Sequence, residues 1–155
     1  MGAVATLNAE IKAIIDAMSG VTYMRAKEDE ANKLINDMKV TDCLAIHIDL
    51  TAFASFRTVG SYNYKVIPIQ ILFVYKNTRI DDKTTAIDTL IDNAEGVADE
   101  FYDKLIQSSV LEQNATLDNP TYSRLEAYKR MDATVSGILF EWLCPVPRST
   151  YYCAS

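Results

Sequence analysis

The stretch YNYKVIPIQILFVYKN, residues 62–77, carries apolar side chains at most positions and a proline near its middle. In an extended chain successive side chains point to opposite faces. Ile67, Ile69, Ile71, Phe73 and Tyr75 therefore share one face, and Val66, Pro68, Gln70, Leu72 and Val74 share the other. A half-buried strand alternates apolar with polar residues. This one is apolar on both sides, so it predicts a long strand covered twice. What covers the second face is the question that the rest of the chain has to answer.

Helical spacing of Leu7, Ile11, Ile14, Ile15 and Met18 predicts an opening helix stopped at Ser19-Gly20. A short extended piece follows over residues 21–25. Ala31, Leu34, Ile35 and Met38 predict a second helix, whose acidic start Glu28-Asp29-Glu30 suits the positive end of a helix dipole. Residues 43–50 alternate as a strand, with Leu44, Ile46, Ile48 and Leu50 on one face, and a loop over residues 51–61 leads into the long strand. A long helix is predicted over residues 83–107, its apolar stripe formed by Ile87, Leu90, Ile91, Ala94, Ala98, Phe101 and Leu105. Two closing strands follow, over residues 121–129 and 133–143.

Strands joined by short links favour antiparallel pairing, and helices must cover the sheet. The predicted fold is thus α+β: a four-stranded antiparallel sheet covered by the long helix, with two N-terminal helices and an extended C-terminal arm. Residues 1–145 form a single domain and residues 146–155 the arm. At 155 residues the chain suits one domain that buries roughly 70% of its unfolded surface. No apolar run approaches a membrane span, and the first residues lack the basic and apolar regions of a secretory signal.

Charge narrows the function classes. The formal net charge is −6, and residues 81–103 hold eight carboxylates and one lysine. Asp88, Asp92, Glu95, Asp99 and Asp103 form a stripe roughly 140° from the apolar one, at ~100° per residue. A basic footprint for nucleic acid is what such a chain lacks. The plain reading of the stripe is a solvated helix face; the alternative is a surface that repels DNA or receives a basic partner.

Catalytic and metal signatures are sparse. Cys43, Cys144 and Cys153 form no close pair and accompany a single histidine, His47, so no zinc site is expected. No cofactor is expected either, and free thiols are favoured over a Cys144–Cys153 bridge. Cys43, His47 and Asp49 share a strand face, but four residues of strand span about 13 Å, too far for a thiol–imidazole hydrogen bond. The prediction is a protein that is not an enzyme. Phe53 and Phe56 in the 51–61 loop, the second-face residues Val66, Leu72 and Val74, and Tyr151 and Tyr152 in the arm are candidate subunit-interface residues.

The succession of "EANKLINDM", "GSYNYKVIPIQILFVYKNT", "DDKTTAIDTLIDNAEGVADEFYDKL" and "YKRMDATVSGILFEWLCPV" resembles small bacteriophage virion proteins. These are tail-terminator-like neck or head–tail connector proteins of Bacteroidetes phages, including crAss-like phages. The resemblance spans about residues 5–145. It implies a structural subunit of a virion neck or tail, made in the host cytoplasm, which assembles as a homo-oligomeric ring. Such a ring joins the capsid portal and other neck or tail proteins around a DNA channel, with DNA passing nearby and no membrane involved. The acidic stripe is then a channel-facing or partner-docking surface. The competing expectation is a small cytoplasmic ligand-binding or regulatory α+β domain without catalytic activity.

Overall fold

A computed structural model describes residues 2–26, 30, 42–48, 55–60, 62–76, 84–128 and 135–147. Within them lie helices α1 (Ala3–Asp16) and α2 (Thr84–Ile106) and strands β1 (Val21–Ala26), β2 (Cys43–Ile48), β3 (Ser55–Val59), β4 (Tyr62–Lys76), β5 (Thr121–Tyr128) and β6 (Val135–Val146). The fold is α+β, but the four-stranded sheet is overturned. Six strands form one sheet in the order β1-β2-β4-β6-β5, and β3 also pairs with β4. The sheet is antiparallel except for β1 and β2, which run parallel in register from Val21–Cys43 to Ala26–Ile48.

Two segments account for the difference. The short extended piece at residues 21–25 is a full member of the sheet, joined to its parallel partner by the longer connection that such a pair needs. Part of the expected 51–61 loop is strand β3, which pairs with β4 from Ser55–Val66 to Val59–Tyr62. Gly60, at φ 61°, supplies the left-handed backbone that closes this hairpin. The second N-terminal helix, over Ala31 to Met38, lies outside the described residues, as do Phe53, Asp49 and the arm residues Tyr151, Tyr152 and Cys153.

β4 is the organising strand, as its pattern predicts. One edge pairs with β6 without interruption, from Lys65–Val146 to Lys76–Val135. The other edge pairs with β3 at one end and β2 at the other. Between them the described pairing on that edge lapses over residues 67–70. Pro68, which has no N–H to donate, sits inside the lapse. β6 runs through Pro145 to Val146, past the end expected at residue 143. The arm leaves the sheet only at Pro147.

Both described helices pack on one face. Leu7, Ile11, Ile15 and Met18 from the first, and Ile91, Ala94, Ala98, Phe101 and Leu105 from the second, meet Ile67, Ile69, Ile71 and Phe73 of β4 and Ile138, Phe140 and Trp142 of β6. The odd-numbered row of β4 is thus the helix-side row. Phe101 and Phe140 pack edge to face at 5.4 Å, with Phe73 5.6 Å from Phe101. Such aromatic pairs add about 0.5–1.5 kcal/mol each beyond their burial. Ser108, just past α2, ties the helices together by donating a 3.0 Å hydrogen bond to Glu10 Oε1.

Candidate functional site

The even-numbered row of β4 lies on the second face, and its cover is uneven. At one end Val74 joins Ala26, Leu44, Ile46 and Val135 in a second buried cluster. At the other end Tyr64, Val66 and Pro145 are buried. Between these ends the face is open. Leu72 and Leu139, Gln70 and Glu141, and Pro68 and Leu143 are cross-strand pairs; all six side chains keep some exposure, Leu143 the most at 41%. Their middle reads as a polar row between two apolar ones.

That opening is a groove of about 280 Å³ lined by Pro68, Gln70, Asp118, Asn119, Thr121, Glu141 and Leu143, with Ile69 and Trp142 contributing to its walls. Gln70 Nε2 donates to Glu141 Oε2 at 2.6 Å across its floor. Asp118 is held in place twice. Its backbone carbonyl accepts from Trp142 Nε1 at 2.7 Å, and its carboxylate accepts from Arg57 Nη1 at 2.6 Å. Arg57 stands on β3, at one edge of β4, whereas residues 112–120 run beside the far edge of β6, where Glu112 N–H donates to the Pro145 carbonyl. The ion pair therefore reaches across the width of two strands and anchors Asp118 in the groove lining, with Arg57 beside Tyr64. The hydrogen bond to Asp118 pushes the Arg57 pKa further up, so the guanidinium stays charged.

Exposed apolar side chains stand on both faces of this end. Val4, Phe56, Val59, Leu117 and Leu143 are the large exposed hydrophobics among the described residues. Val59 shares the Arg57 face of β3, Leu117 precedes Asp118 and Leu143 stands in the groove wall, whereas Phe56, paired with Lys65, points to the helix-side face. The hairpin tip also projects past β6, whose last pair with β4 is Val146–Lys65.

The interface residues expected from the sequence separate into three groups. Phe56 is 58% exposed, and Leu72 is partly exposed at the edge of the open face. Val66 and Val74 are buried within the single chain, which leaves neither available as a contact. Phe53, Tyr151 and Tyr152 lie outside the described residues. Asp118, Glu141 and Leu143, which the sequence did not single out, line the groove together with Pro68 and Gln70, and Arg57 holds Asp118 from outside it. The interruption of the apolar even row by Gln70 was the one sequence signal for it.

The acidic stripe is on the surface, with Asp92, Glu95, Asp99 and Asp103 exposed. It is not wholly solvated. Tyr122 on β5 donates a 2.8 Å hydrogen bond to Asp99 Oδ1, and Arg124 lies 3.8 Å from Asp88 Oδ1. Burial, together with the carboxylates of Asp99, Asp103 and Glu95, pushes the Tyr122 hydroxyl well above its ordinary pKa.

Cys43 and His47 take different partners. Cys43 is buried beside Tyr75, and His47 Nδ1 shares a 3.0 Å hydrogen bond with the Tyr23 hydroxyl. Burial pushes the Cys43 thiol up to about 12, and does the same for the buried Cys144. Thiols held protonated in this way are poor nucleophiles. Among the described residues no group of three or more His, Cys, Asp or Glu side chains is placed to hold a metal ion, and no helix is long and apolar enough to cross a membrane. Neither the protein-family models nor the curated proteins compared with the sequence match it.

Proposed function

We propose that the chain is a non-enzymatic structural subunit of a homo-oligomeric ring, of the kind that joins portal and tail in a phage neck. One observation carries this reading: the hairpin end of the sheet presents exposed apolar side chains on both faces, Phe56 on the helix side and Val59 and Leu143 on the side of the Arg57–Asp118 ion pair. Scattered exposed hydrophobics need no explanation, whereas grouped ones with a polar rim mark contact surfaces. A closed ring requires two different complementary patches on each subunit. The projecting hairpin and the open groove are two such patches of opposite shape. The virion setting itself comes from the sequence resemblance.

The exposed carboxylates Asp92, Glu95 and Asp103 suit a surface past which DNA slides, because retention of phosphate needs cations. Native mass measurement with negative-stain imaging tests the ring directly. An annulus of six or twelve copies is expected; a monomer or dimer at every concentration overturns it.

A second reading, a small ligand-binding domain, draws on the groove. Its volume of about 280 Å³ lies at the small end of the ~300–1,000 Å³ usual for small-molecule sites. A space of that size fits one or two side chains of a protein partner better than a cofactor.

A further inference from the structure

The two patches are complementary in chemistry as well as in shape. Phe56 and Lys65 are a cross-strand pair and so share one face of the β3–β4 hairpin. This pair offers an aromatic ring, 58% exposed, beside an ammonium that no ion pair engages among the described residues. The groove offers the reverse combination. Leu143 and Pro68 are its apolar walls, and Glu141 meets Gln70 but no cation among the described residues. One oxygen of the Glu141 carboxylate is committed to Gln70, and a carboxylate has capacity for further donors. Arg57 of the hairpin and Asp118 of the groove lining already pair with each other within one chain, so Lys65 is the cation the hairpin has to offer and Glu141 the carboxylate of the groove.

We propose that the β3–β4 hairpin of one copy seats in the groove of the next, with Phe56 packed against Leu143 and Pro68 and Lys65 paired with Glu141. The contact presupposes the ring proposed above and names the two surfaces through which it closes. It is heterologous: each copy uses its hairpin on one neighbour and its groove on the other, which builds rings instead of two-fold dimers. Lys65 sets the register of the hairpin in the groove, because like charges brought face to face at an interface repel. Arg57 keeps the groove end shaped through Asp118 and is not itself the docking cation.

A charge-swap mixing experiment on the full-length chain tests the contact. Lys65→Glu and Glu141→Lys, each alone, are expected to stay folded by circular dichroism and to raise the half-assembly concentration at least about tenfold. Mixing the two variants in equal amounts should restore assembly in alternation. The hairpin of K65E, now acidic, meets the groove of E141K, now basic, and the Lys65 kept by E141K meets the Glu141 kept by K65E. Leu143→Asp probes the same groove without touching the Gln70–Glu141 bond and should block assembly by itself. Rings that form normally from Lys65→Glu, Glu141→Lys or Leu143→Asp overturn the contact and leave the ring standing. Loss in both charge variants without recovery on mixing overturns it as well. A wild-type chain that is monomeric at every concentration removes both the contact and the ring.

Discussion

Arg57 and Asp118, 61 residues apart in sequence, meet at 2.6 Å across the width of β4 and β6. Both side chains are more than a third exposed, so the pair contributes little global stability, about 0–1 kcal/mol. Its effect is local, on the hairpin. Asp118→Asn is expected to leave the melting temperature nearly unchanged while speeding amide hydrogen exchange over residues 55–59 and 62–66. Unchanged exchange there would show that the hairpin holds its position without the pair.

Gly137 answers to a different constraint. It lies opposite Val74 on β4, and a Cβ added to it would stand 2.0 Å from the Phe73 carbonyl oxygen and 2.8 Å from Val74 Cα. Both obstacles are backbone, so no side chain can swing aside. Gly137→Ala should destabilise the fold by about 3 kcal/mol or more, the upper range for overpacking. Denaturant unfolding measures this, and a loss below about 1 kcal/mol would contradict the close approach of the two strands.

The thiols give a pH dependence with a definite sign. Cys43 is raised from 9.0 to about 12, and its neighbour Tyr75 from 10.0 to about 12, both chiefly by burial. The folded state holds these protons after the unfolded chain has released them, so stability declines as pH rises from about 9 toward 12. Melting temperatures at pH 8, 9 and 10.5 should fall in that order, and Cys43→Ala should flatten the fall. A thiol reagent should modify Cys43 and Cys144 slowly until the protein is unfolded.

Charge reversal on α2 should use Asp92, Glu95 and Asp103, because Asp99 and Asp88 already meet Tyr122 and Arg124. If the proposed ring presents this helix to DNA, lysines at the three positions create salt-sensitive DNA retention, readable in a filter-binding or mobility assay. Absence of retention in assembled rings carrying all three lysines would reduce the stripe to a solvated helix face.

The sequence was most legible where burial left a period. The odd row of β4 and the apolar stripe of α2 read correctly because each packs on a continuous core. β3 escaped notice because SFRTV is exposed along nearly its whole length, so no face of it records a core. β1 was legible as extended but not as a sheet member, since six residues with a mixed burial pattern do not announce a parallel partner. The groove was out of reach for a related reason. Gln70 and Glu141 become neighbours only through the β4–β6 register, and nothing local to either residue predicts that pairing.

The position of β6 bears on the order in which the molecule can be made. It is the last described strand along the chain, yet it stands between β4 and β5 and supplies Ile138, Phe140 and Trp142 to the helix-side core. During translation β1 to β5 and both described helices emerge before the strand that joins them. Until then α2 has no complete surface to settle on, and β5 has no described neighbour in the sheet. The sheet is therefore unfinished until residues 135–146 have emerged, and a nascent chain arrested before Val135 exposes the aromatic face of Phe73 and Phe101 to chaperones.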